Sequence, residues 1–179
     1  TTTATGARNS VTVEDGGTGP YNAILVSDSS LPTHTIFRPK DLSAFGGEKK
    51  LPIIAWGNGG CANSPRGFQN FLSEVASHGF LVIAIGPTQP AGQTGRGGGI
   101  GGGGTKSSQL LDAVDWATVQ NGNDKCAYFG KVDISKVAVI GQSCGGLQAM
   151  EVSTDPRVTT TVICNSGILN AGGAGAPGR

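Results

Sequence analysis

Residues 136–150, KVAVIGQSCGGLQAM, decide how the chain is read. The apolar run from Val137 to Ile140 reads as a buried strand that enters Gly-Gln-Ser-Cys-Gly and then a helix over about 144–154. The pattern Gly141-x-Ser143-x-Gly145 thus falls between a strand and a helix, and that context separates it from chance matches. Its glycines have a steric reason. The central residue of so sharp a turn takes a strained backbone, and side chains at Gly141 and Gly145 would collide with the adjoining strand and helix. The turn is expected to push Ser143 Oγ out of the sheet at a helix N-terminus, where free amides favour negative charge. Cys144 stands next to it, so two nucleophile types compete for one position.

Working outward, the segments alternate regularly. YNAILVSD (21–28) and THTIFRP (33–39) alternate apolar and polar residues, as half-exposed strands do. LPIIAW (51–56) and FLVIAI (80–85) are short continuous apolar runs, expected where a strand is buried on both faces of a parallel sheet. Between them, Ser64 suits an N-cap, Pro65 the first helical position and Gly79 the C-terminal stop. Phe68, Phe71, Leu72, Val75 and Ala76 share one face of that helix. KSSQLLDAVDWATVQNG (106–122) predicts a second helix ending at Asn121-Gly122, and RVTTTVIC (157–164) a sixth strand. Strand–helix–strand alternation predicts an α/β fold, a mostly parallel sheet flanked by helices, with residues 1–179 as one domain.

Composition narrows the partners. A net charge of +1 and few charged residues argue against nucleic acid or an anionic membrane. No run of about twenty apolar residues suggests a membrane span. The chain opens on TTTATGARNS without Met and carries four cysteines, which together point to a secreted protein. The 31 glycines cluster without a period. Those in 92–106 read as a flexible loop, and 171–179 as a Gly/Ala-rich tail. A phosphate-binding loop needs Gly-Lys-Ser/Thr contiguous, and Thr105 interrupts it, so no nucleotide cofactor is expected. The cysteines lack zinc-site spacing, so neither is a metal.

The elbow, together with LPIIAWGNGGCANSPRGFQNFLSEVASHGFLVIAIG (51–86), resembles the α/β-hydrolase superfamily, in the esterase branch of polyester hydrolases, cutinase-like and dienelactone-hydrolase-like enzymes. The resemblance covers roughly 51–167 and implies a carboxylic-ester hydrolase acting on a small-molecule or polymeric ester. It implies Ser143 as nucleophile, with the Cys144 N–H as one oxyanion donor. Counting back from SHGF, the second donor falls on Cys61, with Gly60 one residue away as the fallback. Trp56 is a candidate wall of the acyl pocket. Two amides aimed at one oxyanion would bring Cys61 and Cys144 within the ~4.4–6.8 Å that a disulfide spans. A Cys61–Cys144 bridge therefore stands beside two alternatives: two free pocket-lining thiols, or Cys164 taking one of them.

The resemblance also implies an Asp or Glu and then a His after the nucleophile. No His follows Ser143; Asp155 stands at the foot of the sixth strand, and the position after that strand reads Cys-Asn-Ser-Gly. His34 belongs to an early strand, and His78 reads as a last-turn residue of its helix. The sequence thus matches the N-terminal part of the family's fold. Its catalytic Asp and His are expected on a missing or separate C-terminal segment, a companion fragment of the same protein. Other readings stay open: a non-catalytic binding protein on the hydrolase fold, or a peptidase or acyltransferase.

Overall fold

The computed structural model describes residues 16–88 and 104–167. Six strands form one mixed sheet: β1 (Ala23–Val26), β2 (His34–Pro39), β3 (Leu51–Gly57), β4 (Leu81–Ile85), β5 (Val132–Gln142) and β6 (Thr160–Cys164). Their spatial order is β1-β2-β4-β3-β5-β6. Only β2 runs against its neighbours; β4, β3, β5 and β6 are mutually parallel. Among the described residues three α-helices accompany them, α1 (Gln69–Ser77), α2 (Ser108–Gly122) and α3 (Cys144–Glu151).

The continuous apolar runs of β3 and β4 are explained by period-2 alternation between two buried faces. Leu51, Ile53 and Ala55 of β3, with Leu81, Ile83 and Ile85 of β4, join the cluster that holds Leu110, Ala113, Val114 and Ala117 of α2. Ile54, Trp56, Val82 and Ala84 point the other way, into the cluster that holds Leu72 and Ala76 of α1. The four α2 residues stand at i, i+3, i+4 and i+7, so one stripe of that helix covers one face of the sheet. At its start, Lys106 N–H donates to Gln109 Oε1 and Gln109 N–H donates back to Lys106 O, satisfying first-turn groups that a helix leaves open. The burial ends at β6, an edge strand whose Val162 and Ile163 are both exposed.

Several sequence expectations change. β2 is buried almost throughout, not half-exposed, because it lies between β1 and β4. Its polar residues are bonded inside: Thr35 Oγ1 donates to Gly86 O, and the His34 ring contacts Gln109 O and Thr33 Oγ1. α1 does not begin at Pro65; a 3-10 turn at Arg66–Phe68 precedes it, and Phe71 of the expected core face is 49% exposed. β5 starts earlier than read, at Val132, with an irregularity in its pairing to β3 near Pro52/Ile53. α3 is shorter, ending at Glu151. Of the glycine-rich stretch 92–106, residues 92–103 lie outside the described residues, as does the tail 171–179. Thr105 and Lys106, at its end, are held by hydrogen bonds.

His34 makes one consequence measurable. Burial lowers its pKa below the ordinary 6.5, against smaller opposing effects of the Gln109 backbone and Asp112. A histidine kept neutral by the fold leaves stability intact above the unfolded pKa, and erodes it as pH falls below about 6.5. Urea unfolding at pH 7.5, 6.0 and 5.0 should show that decline, and His34→Gln should flatten it. An unchanged decline in the variant would assign it to other groups.

Candidate active site

β5 leaves the sheet at Gln142, and Ser143 takes φ 51°, ψ −116° before α3 begins. That combination lies outside the wells open to residues with a Cβ, so the backbone at Ser143 is strained. The surroundings enforce it. Ser143 N–H donates to Cys164 O of β6 at 2.9 Å, and Ser143 O accepts from Gly146 N–H at 2.9 Å. The serine is exposed at the carboxyl edge of the parallel strands, the end where α/β sheets place their ligand sites.

The glycines have the steric role expected of them. A Cβ on Gly141 would stand 2.0 Å from Gly145 O, and one on Gly145 would stand 2.1 Å from Gly57 O. Gly57 pairs with Gly141 across β3 and β5, so the first turn of α3 rests directly on the ends of both strands. These obstacles are backbone atoms, which cannot rotate away. Gly145→Ala should therefore destabilise by about 1–3 kcal/mol or more. Gly67→Ala, where an added Cβ meets nothing within 4 Å, should stay within about 0.5 kcal/mol. Urea unfolding of the two variants checks this, and equal losses would contradict the close approach.

The turn after β3 lies beside the elbow. Asn58 is fully buried; its Oδ1 accepts from Trp56 Nε1–H at 3.0 Å, and its Nδ2–H groups donate to Ala62 O and Ile85 O. It fastens the turn to the ends of two strands. Between Asn58 and Ala62 the chain makes a 3-10 turn in which Gly60 (φ 63°) and Cys61 (φ 48°) are both left-handed. Cys61 and Cys144 are joined by a disulfide with their Cα atoms 5.2 Å apart. The bridge sets the turn against the first residue of α3, whose first amides have no partner within the helix. An open cavity of about 480 Å³ flanks the bridge, with Thr105, Lys106, Leu147 and Glu151 in its walls.

Trp56 is not a pocket wall. It is 2% exposed, belongs to the α1-side core, and packs its ring 5.1 Å from Phe68. Period-2 alternation sends position 56 inward, although it stands only a few residues from the site. Cys126 and Cys164 are free thiols, and the Cys126 thiol donates to Gln120 O. The bridge leaves Cys144 no thiol with which to act as nucleophile.

Neither histidine reaches Ser143. His34 pairs opposite Ile85, so it sits at the site's end of the sheet, but on β2, three places from β5 in the strand order. It is 1% exposed and both ring nitrogens are engaged. His78 closes α1, just before β4 and so at the opposite end, where it pairs with Glu74 at 3.0 Å. Asp155 is bound by Arg157, whose hydrogen bonds pull its pKa to about 2; Arg157 also reaches Asp115. No cluster of three or more His, Cys, Asp or Glu side chains suited to a metal occurs among the described residues.

Asn58, Thr105 and Gln148 were not read from sequence as residues of the site. Gln148 is buried on α3; its Nε2–H groups donate to Thr105 O and Oγ1, and Thr105 N–H and Oγ1–H both donate to Cys61 O. Only the flanking glycines of Asn58 hinted that position 58 belonged to a special turn. When the chain is compared with known proteins, no family model matches it and no curated protein does.

Proposed function

We propose that this chain is the nucleophile-bearing body of a serine esterase of the α/β-hydrolase type, acting on carboxylic esters through an acyl-enzyme. The observation that carries the reading is Ser143, exposed in a strained conformation between β5 and α3, with the turn after β3 bonded covalently beside it. Ser143 Oγ would attack the ester carbonyl. The amides of Cys144 and Cys61 would receive the oxyanion, one from each side of the disulfide. The acid and the His would come from a separate segment not contained in residues 1–179, a companion of this chain, because both of its own histidines, His34 and His78, are engaged elsewhere. Among the described residues β6 is the last strand of the sheet, an edge where further chain could pair, which supports this. The disulfide is consistent with an extracellular setting, and no helix among the described residues is long and apolar enough to cross a membrane.

One observation favours a second reading, a hydrolase-like binding protein: both histidines are engaged away from Ser143. Covalent labelling of Ser143 by a fluorophosphonate separates the cases, and ester turnover tests where the base lies. The purified chain should hydrolyse p-nitrophenyl acetate only weakly, and a His34→Gln, His78→Gln variant should do no worse. Full activity in that double variant would mean a base unlike the one proposed.

A further inference from the structure

We infer that Gln148 and Thr105 are positioning residues for the second oxyanion donor, an inference that rests on the esterase reading of Ser143. Cys61 is one of three non-glycine residues with positive φ among the described residues, and in the esterase reading that conformation is what would turn its amide toward Ser143. Left to itself, a left-handed cysteine directly after Gly59-Gly60 would relax. It is held from two directions. Its sulfur is bonded to Cys144. Its carbonyl accepts two hydrogen bonds from Thr105, from N–H and from Oγ1–H, both at 3.1 Å.

Thr105 lies just before α2, in a segment (104–106) that belongs to no helix or strand, so no regular element fixes it locally. Gln148 does so instead. Its Nε2 donates to Thr105 O at 2.7 Å and to Thr105 Oγ1 at 3.1 Å. Gln148 is buried, and its Oε1 has no hydrogen-bond partner among the described residues. A buried amide with an unpaired oxygen is a costly way to fill space, where Leu or Met would do. Its two donors to Thr105 account for the residue. Gln148 lies on the same helix as Cys144, so α3 carries the nucleophile's turn, one donor, the disulfide and the anchor of the strap. Donor and nucleophile then move as one body, which is what an oxyanion hole needs in order to spend no reorganisation when charge develops.

The test compares wild type, Thr105→Val, Thr105→Ser and Gln148→Met. In a buffer of reduced and oxidised dithiothreitol, the fraction holding the Cys61–Cys144 bond is read by alkylation and mass. A strap that holds Cys61 near Cys144 favours the disulfide. Thr105→Val and Gln148→Met should shift that equilibrium about 10-fold toward thiols, and Thr105→Ser, which keeps the hydroxyl, less than about 2-fold. With the bond fully oxidised in every variant, phosphonylation of Ser143 by a fluorophosphonate should slow about 10-fold in the first two and recover in Thr105→Ser. Unchanged redox equilibria would overturn the strap. Shifted equilibria with unchanged labelling would make it a structural tie only, and overturn its positioning role. If Ser143 is unlabelled in every chain even with imidazole supplied as the absent base, the esterase reading fails and takes the positioning role with it, while the redox arm still reports the strap by itself.

Discussion

Ser143→Ala is expected to abolish covalent modification by a serine-directed phosphonate and to remove at least ~10³-fold of any ester turnover the protein supports. The expectation follows from the backbone. A strained residue at the exposed end of a strand, locked by hydrogen bonds to Cys164 O and from Gly146 N–H, presents its hydroxyl without a search through rotamers of a loop. Alanine fits the same backbone, so the fold should survive and the loss should be chemical. The alternative nucleophile is next in sequence, which makes the control decisive. Cys144 is bonded to Cys61, so Cys144→Ala should leave a labelled Ser143, although labelling should slow if the proposed second donor, the Cys61 amide, is released with the bridge. The readout is peptide mapping by mass, which locates the adduct. A Cys144→Ala chain that no longer labels, beside a Ser143→Ala chain that does, would reverse the assignment.

How far the sequence carried this picture depends on the range of the interaction involved. The elbow was legible because its constraint is local: Gly141 and Gly145 flank Ser143, and each is excluded from a side chain by backbone within one turn or by the strand beside it. β3 and β4 were legible because burial on both faces leaves no polar residue in the run. β2 misled for the converse reason. Thr35 and His34 look outward by residue type, but Gly86 O and Gln109 O, far along the chain, satisfy them inside. Thr105 and Gln148 stayed silent on the same ground. Thr105 reaches Cys61 across 44 residues and Gln148 reaches Thr105 across 43, and no spacing rule spans such distances. Trp56 was misplaced because nearness in sequence to the turn does not say which face of β3 a residue joins. The disulfide lay between these cases. Only the idea of two amides converging on one oxyanion brought its cysteines together.

That disulfide should be the largest single stabiliser that a mild reagent can remove. It closes a loop with a sequence separation of 83, and in the chain-entropy account a loop of that size restrains the unfolded state by about 4.5 kcal/mol. Measured losses on removing native bridges run about 2–5 kcal/mol, and for a chain of this size each kcal/mol moves the melting point by roughly 2–4 °C. Reduction with dithiothreitol should therefore lower the melting temperature by about 4–20 °C, near the upper half of that range if the full chain-entropy effect is realised. The effect is expected to act mainly on the unfolded chain, because other contacts would still hold the turn near α3 in the reduced fold. Thr105 still donates to Cys61 O, and Gly145 still rests on Gly57. Mutational cost should betray this origin. Cys61→Ala and Cys144→Ala each abolish the same loop, so each should cost about as much as the other, and the double variant little more than either, far from additive. Thermal melts of the oxidised, reduced and three substituted chains decide it. A reduced chain that melts within about 2 °C of the oxidised one would show that the cross-link does not restrain the unfolded state. Cys61 and Cys144 peptides that both alkylate without reductant would show that the bond is absent from the protein in solution.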